Sequence, residues 1–333
     1  TDADSYDKYT FSARGSHKVK ALTFSSSLNY SYQKNKFATT GQGLTMLNSL
    51  YQTPRDVSII SLQDQNDIFN SPGYFYTPYG VMNPYYILEN YLNEYDAERF
   101  YGKFQVDYDF LKYFKFTYRM GLDTTTGQSN RGEPNLYALF YEGTPNGEGM
   151  GSNSPFYGKE GSYSQQITRR REINQDLLLS FSMPINDFQI NALAGFNGNE
   201  RKYSYLYSSV SKLTIPTWYN LSNSAATPTV EQYLSLRRLM GVFGQVDLSW
   251  RNMLYVTLTA RNDWSSTLPK ENRSFFYPGV TGSFIFTELL DEDMKDILSF
   301  GKVRMAWGKT GNDANVYMTK PVYGPVSYTH LTL

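Results

Sequence analysis

The stretch NMLYVTLTAR, residues 252–261, sends Leu254, Val256, Leu258 and Ala260 to one side of an extended chain and Tyr255, Thr257, Thr259 and Arg261 to the other. A two-residue period marks a strand with one apolar and one polar face, because an amphipathic helix would repeat its apolar positions at i, i+3 and i+4. β-branched and aromatic residues fill the run, as they do in strands.

The same split recurs in both directions along the chain. Phe114, Phe116, Tyr118, Met120 and Leu122 oppose Lys115, Thr117, Arg119 and Asp123, and Val303, Met305 and Trp307 oppose Lys302 and Arg304. Ten strands are predicted, near residues 8–15, 18–34, 98–110, 112–124, 162–183, 187–203, 231–250, 252–263, 273–287 and 298–309. Several exceed the common strand length. Tight turns are predicted around Leu111, at Pro184–Asn186 and around Arg251, whereas residues 35–97, 125–161 and 204–230 form long connections. Short turns at one end and long loops at the other are the asymmetry of a transmembrane β-barrel, and loops of this length are uncommon in compact soluble domains. The predicted fold class is therefore all-β: an antiparallel transmembrane barrel with long external loops and short periplasmic turns.

In the fifth strand Leu177, Leu179, Phe181 and Met183 share one face, while residues 163–172 are polar on both and include Arg169, Arg170 and Arg171. That places the lipid band toward the tight turns and the other half of the wall in water. Tyr118, Trp250, Tyr255 and Trp307 are candidates for the aromatic girdles at the membrane boundaries.

Composition excludes much chemistry. The 333 residues contain no cysteine and two histidines, so thiol nucleophiles, disulfide frameworks and cysteine-based zinc sites are ruled out. With 31 basic and 31 acidic side chains there is no global attraction to nucleic acid, and no metal or cofactor motif is present. The GKT at 308–310 lacks the leading glycine and the following helix of a phosphate loop, and the GEGMG at 147–151 lacks the context of a dinucleotide site. An enzyme is not expected. The compositional anomaly is 30 Tyr and 21 Phe beside 4 Trp. A soluble β-rich carbohydrate-binding or glycan-degrading module would also use tyrosine; it requires a second sheet over the row Leu254, Val256 and Leu258.

Several strings carry a family resemblance. RNDWSSTLPKENRSFFYPGV at 261–280, LYQTPRD at 50–56, NPYYIL at 83–88, RMGLD at 119–123 and WGKTGN at 307–312 resemble, in order, SusC/RagA-like TonB-dependent transporters of bacterial outer membranes. The resemblance implies a 22-stranded barrel in the outer membrane, surrounded by its lipid. An internal plug, a TonB-contacting segment and a SusD-like surface lipoprotein as lid would accompany it, with import of oligosaccharides or peptides. It further implies that residues 1–325 are a partial barrel domain of about ten strands without the plug. Residues 326–333, including His330, do not look like family sequence and are read as a tail, possibly artefactual, with no functional role.

Candidate contacts to substrate or lid follow from the aromatic loops: Tyr74, Phe75, Tyr76, Tyr79, Tyr85 and Tyr86 in the first, Trp218 and Tyr219 in the third. Such rings stack on sugars and peptide side chains, although packing a long ordered loop is the more usual role. In the segment Arg261, Asn262, Asp263, Trp264, Ser265 and Ser266, the charged residues together with Lys270 are expected to form a structural ion network at the rim.

Overall fold

The computed structural model describes residues 4–41, 43–72, 75, 81–140 and 158–319. Ten strands form one sheet: β1 (Ser5–Val19), β2 (Leu22–Lys36), β3 (Leu92–Phe110), β4 (Phe114–Glu133), β5 (Ser162–Ile185), β6 (Phe188–Ser211), β7 (Thr229–Trp250), β8 (Leu254–Ser265), β9 (Ser274–Ile285) and β10 (Lys302–Gly308). Each pairs antiparallel with its sequence neighbour, in the order β1 to β10, and β1 and β10 are the two edges of an open wall. Every predicted strand is present. β3, β4 and β6 run well past their predicted ends because polar residues fall on both faces of those extensions, as Asn93, Glu94 and Asp96 do in β3, and leave no clear hydrophobic period to read.

Register fixes the faces. Phe24, Val106, Tyr118, Leu177, Phe196 and Val242 are consecutive partners across β2 to β7, so they lie in one apolar row. Val246, Leu258, Val280 and Trp307 continue that face across β7 to β10. These rows are bare: Leu254 is 39% exposed and Leu258 47%. Among the described residues no second sheet covers them, which removes the soluble-module reading. Tyr118, Trp250 and Trp307 lie on the apolar face. Tyr255 does not: it pairs with Ser249 and Ser283 on the polar face, its ring 5.2 Å from the Lys302 ammonium, and so cannot join a girdle.

The tight turns are built on residues with positive φ, Lys20, Leu111, Asn186, Arg251 and Asn252. The left-handed conformation matches two-residue hairpin turns to the twist of their strands. Pro184 stays inside β5, opposite Gln189, and that turn falls at 186–187 rather than beginning at the proline. The end-to-end asymmetry fails once. The β8–β9 connection, 266–273, is short although it lies on the long-loop side, while β9–β10, 286–301, is long. The latter is ordered by a 3₁₀ turn (Phe286–Leu289) and a helix (Glu292–Ile297), with the Phe286 ring packed over Gly301 and the Gly301 N–H donated to Thr287.

β5 and β6 each contain 24 residues. At a rise of about 3.3 Å per residue each is roughly 80 Å long, so even when tilted it extends far beyond an apolar band of about 25 Å. Buried apolar side chains instead gather in the loops. One cluster joins Met82, Tyr86, Ile87 and Leu136, a second Leu62, Phe75 and Val81, and a third Tyr163, Val210 and Leu213.

The faces have different tolerances. Leu258→Arg puts a charge in lipid and is expected to cost about 2–4 kcal/mol, while Thr259→Arg, one residue on and facing the polar side, costs under about 1 kcal/mol. Folding titrations of the full-length receptor into lipid vesicles check this; equal losses would contradict the face assignment.

Candidate functional site

The polar face is concave. A cavity of about 970 Å³ is lined by residues from β1 to β7, including Lys8, Arg99, Arg170, Arg201 and Arg237, and by the segment 312–316. Alternation places each of these side chains on the face opposite the apolar rows.

Cross-strand ion pairs organise the wall of this cavity. Arg99 donates two hydrogen bonds to Asp123, at 3.0 and 2.6 Å. Arg201 lies 3.0 Å from Glu172, which also accepts from Asn199 at 2.7 Å. Lower on the same face Arg119 donates to Asp176 at 2.8 Å, and Asn197 donates to the same carboxylate at 2.6 Å. Arg170 instead lies over the Tyr203 ring at 5.4 Å. Among the described residues neither Arg170 nor Lys8 has a carboxylate partner.

Below the cavity a hairpin motif appears twice. Gln105 and Thr117 donate to Asp107 at 2.8 and 2.6 Å, and Gln245 and Thr257 donate to Asp247 at 2.8 and 2.7 Å. Both are QVD followed ten residues after the Asp by a Thr on the returning strand, a repeat legible in the sequence.

Asp313 closes the cavity on the β7–β8 side. It accepts two hydrogen bonds from Arg237, at 2.9 and 2.6 Å, one from Ser265 at 2.5 Å and one from Thr267 at 3.2 Å. Burial alone would raise this carboxyl's pKa. The Ser265 hydroxyl and the Arg237 guanidinium outweigh burial and hold it below the ordinary carboxylate value. The Asp313–Arg237 contact joins residues 76 positions apart, so local spacing gave no signal for it.

The segment from Arg261 to Ser266 is less a loop than the end of β8. Arg261 donates to Asp263 at 2.8 Å and stacks over Phe243, as the expected structural pair. Gly241 leaves room for it, since a Cβ there would collide with the Asp263 carboxylate. Lys270 is exposed and takes no part. Asn262 and Trp264 project to the apolar face, while Ser265 is almost fully buried against Asp313.

The aromatic candidates separate by burial. Phe75 is 3% exposed and packs with Leu62 and Val81, and Tyr86 is 8% exposed against Phe140, so neither ring is free to meet a ligand. Burial pushes the Tyr86 phenol up to about 12. Tyr219 lies over Gly132, stacks on Tyr163 at 6.3 Å and donates its hydroxyl to the Asn90 carbonyl, tying the third loop to the first. Tyr85 is half-buried and Trp218 is 46% exposed. Tyr74, Tyr76 and Tyr79 lie outside the described residues, as do residues 147–151 and 326–333.

No family model matches the chain. It is 23% identical over 279 residues to TonB-dependent receptor P3 of Formosa agariphila, covering 82% of this chain and 25% of that one. It is 26% identical over 180 residues to TonB-dependent receptor P26 of the same organism, covering 51% of this chain and 18% of that one. The wall superposes on the structure of the RagAB peptide transporter with a TM-score of 0.70 at 15% identity, over 93% of this chain and 33% of that one. The chain is similar to TonB-dependent receptors and has the barrel-wall fold of the RagAB transporter. Its place is the outer membrane, and its relatives are named as receptors rather than enzymes. It spans about a quarter of the length of the first of these relatives.

In this receptor wall the Asp313 latch has a defined acid dependence. Its stabilising contribution is complete above the ordinary Asp pKa of about 3.9 and is lost as pH falls through the lower folded-state value. Amide protection at 309–316, measured against the intrinsic exchange rate at each pH, should fall below about pH 4 in the wild type. In Asp313→Asn protection should already be low at neutral pH and change little with acid. In the loop cluster, Leu136→Ala should cost about 2–5 kcal/mol locally and open the loops to protease while leaving the sheet folded.

Proposed function

We propose that the full-length protein imports a nutrient across the outer membrane in a TonB-dependent way, with residues 1–325 as part of its barrel wall. The plug and the TonB-contacting segment belong, on this reading, to the portion of the receptor that this chain does not span. The arginine-lined polar cavity carries the reading, because a wall meant only to hold lipid apart from water needs no such concave, charge-organised face.

The nutrient is an oligosaccharide or a peptide. Among the described residues Lys8 and Arg170 are cations without a carboxylate partner, and Tyr203 supplies a ring beneath Arg170, a combination that suits an oligomer bearing carboxylates. The name of the RagAB transporter favours a peptide among the two.

A SusD-like surface lipoprotein is the partner that fits the loops. Tyr51, Ile60 and Phe69 in the first loop are 76–80% exposed on the side away from the lipid band, and Ile215 and Trp218 add apolar area from the third. Exposed apolar groups in water at this density mark a protein contact.

The test is uptake of labelled oligopeptides and oligosaccharides by cells carrying the full-length receptor, with and without TonB. Energised uptake of one class is expected. Arg170→Ala should weaken binding of an acidic oligomer by roughly tenfold, the worth of one charge-assisted hydrogen bond. Uptake that is independent of TonB would overturn the proposal.

A further inference from the structure

The apolar face carries a feature that solute import does not use. On β7 this face is apolar from Trp250 to Met240, then reaches Arg238. Ten residues at about 3.3 Å, tilted by roughly 40°, rise about 25 Å, the height of the lipid band. The hairpin tip 266–273 ends at the same level: Arg238 exchanges hydrogen bonds with Ser266, and Ser265 N–H donates to the Arg273 carbonyl. Irregular backbone cannot face hydrocarbon, so this level is the headgroup layer on the loop side.

Two observations coincide there. One is a groove of about 720 Å³ whose lining includes Ile173, Phe196, Met240 and Trp264. Its floor is Gly198, which offers no side chain, and Arg238, Glu200 and Arg273 stand at its upper end. The other is charge. Arg171 and Arg238 both grip Glu200, at 3.0 and 2.8 Å, while Arg169, Lys202 and Arg273 are exposed and have no carboxylate partner among the described residues. Among the described residues these five cations thus share one carboxylate partner, Glu200. On the same face of β2 and β3 the carboxylates are in excess, Glu94, Asp96 and Glu98 against Lys34 and Lys36. The excess of cations is therefore local to the groove.

We propose that this groove binds a phosphorylated, multiply acylated lipid of the surrounding leaflet. Its phosphate would sit on Arg171, Arg238 and Arg273, and one acyl chain would lie against Phe196, Met240 and Trp264. Glu200 is a positioning residue: by holding two guanidiniums it turns their remaining N–H groups outward, in the fork geometry that suits phosphate. A second depression lower on the apolar face, lined by Phe114, Leu179, Phe181 and Leu258, has no charged residue in its lining, so among the described residues it is this groove that joins an alkyl-sized depression to a cation cluster.

The experiment is native mass spectrometry of the detergent-purified full-length receptor, with bisphosphorylated lipid A, monophosphoryl lipid A and phosphatidylcholine as probes. Retention should fall in that order, with bisphosphorylated lipid A favoured over phosphatidylcholine by roughly tenfold or more. Arg171→Gln/Arg238→Gln/Arg273→Gln should lower its retention at least about fivefold while the heat-dependent gel shift of the folded barrel persists. Glu200→Gln removes the carboxylate that pairs with Arg171 and Arg238 and should hold or raise retention. A purely structural ion network would make Glu200→Gln lose lipid along with the arginine variant, and that result overturns the proposal. Equal retention of phosphatidylcholine, or an unaffected arginine variant, overturns it as well.

Discussion

The rest of the structure depends on the backbone ladder. In hydrocarbon each unpaired N–H or C=O costs several kcal/mol, so a wall of strands survives there only if every strand is paired along its membrane length. Nine consecutive antiparallel pairings meet that condition in the interior of this sheet. Once the ladder is set, pleating sends alternate residues to opposite faces, and a single register determines which side chains meet lipid and which meet the cavity. Shifting β5 by one residue would move Leu177 and Leu179 into the cavity and Asp176 into lipid. The Arg119–Asp176 pair is thus both a product of the register and a penalty against its alternatives.

Because the sheet is one layer thick, it has no interior in the usual sense. Side-chain stabilisation comes from cross-strand neighbours on each face and, on one face, from lipid. The polar face is rigidified by carboxylates that accept from two or three donors, as Asp107, Asp176, Asp247 and Asp313 do. The loops compensate differently. They build small apolar clusters with contributions from separate connections, and polar ties such as Asn135 Nδ2 to the Leu213 carbonyl at 2.7 Å lock one loop onto another. Among the described residues these contacts join the loops to one another, which is why rings such as Phe75, Tyr86 and Tyr219 are committed to packing.

Strand existence was legible because residues such as Leu254, Val256 and Leu258 must alternate wherever one face meets lipid. Strand ends were not, because above the band both faces meet water and Glu94 or Thr124 carries no facial preference. The ion pair of Arg261 with Asp263 was visible because i and i+2 share a face of one strand. Arg99 with Asp123 and Arg237 with Asp313 depend on register and on a returning segment, neither of which a local period encodes. Phe75 shows the limit for aromatics: composition identifies a ring in a long loop, but only packing decides whether it faces a ligand or Leu62. Tyr255 shows the same limit on a strand, where alternation had already assigned it to the polar side and girdle chemistry alone pulled it the other way.

The two edges make a final point about what the wall is built for. Natural sheets protect a permanent edge by shortening it, bulging it or turning charges inward. β1 uses none of these. It spans fifteen residues in unbroken register with β2, with Tyr9, Phe11 and Ala13 on the apolar face and Lys8, Thr10 and Ser12 on the polar one. That is the pattern of β4 and β8, which have neighbours on both sides. Tyr9 and Phe11 are each 66% exposed, far more than Phe24 at 38% one strand inward, because only one neighbour flanks them. β1 thus carries the residue pattern of an interior strand, and an unpaired ladder of its length is what the backbone constraint that orders the nine pairings penalises in hydrocarbon.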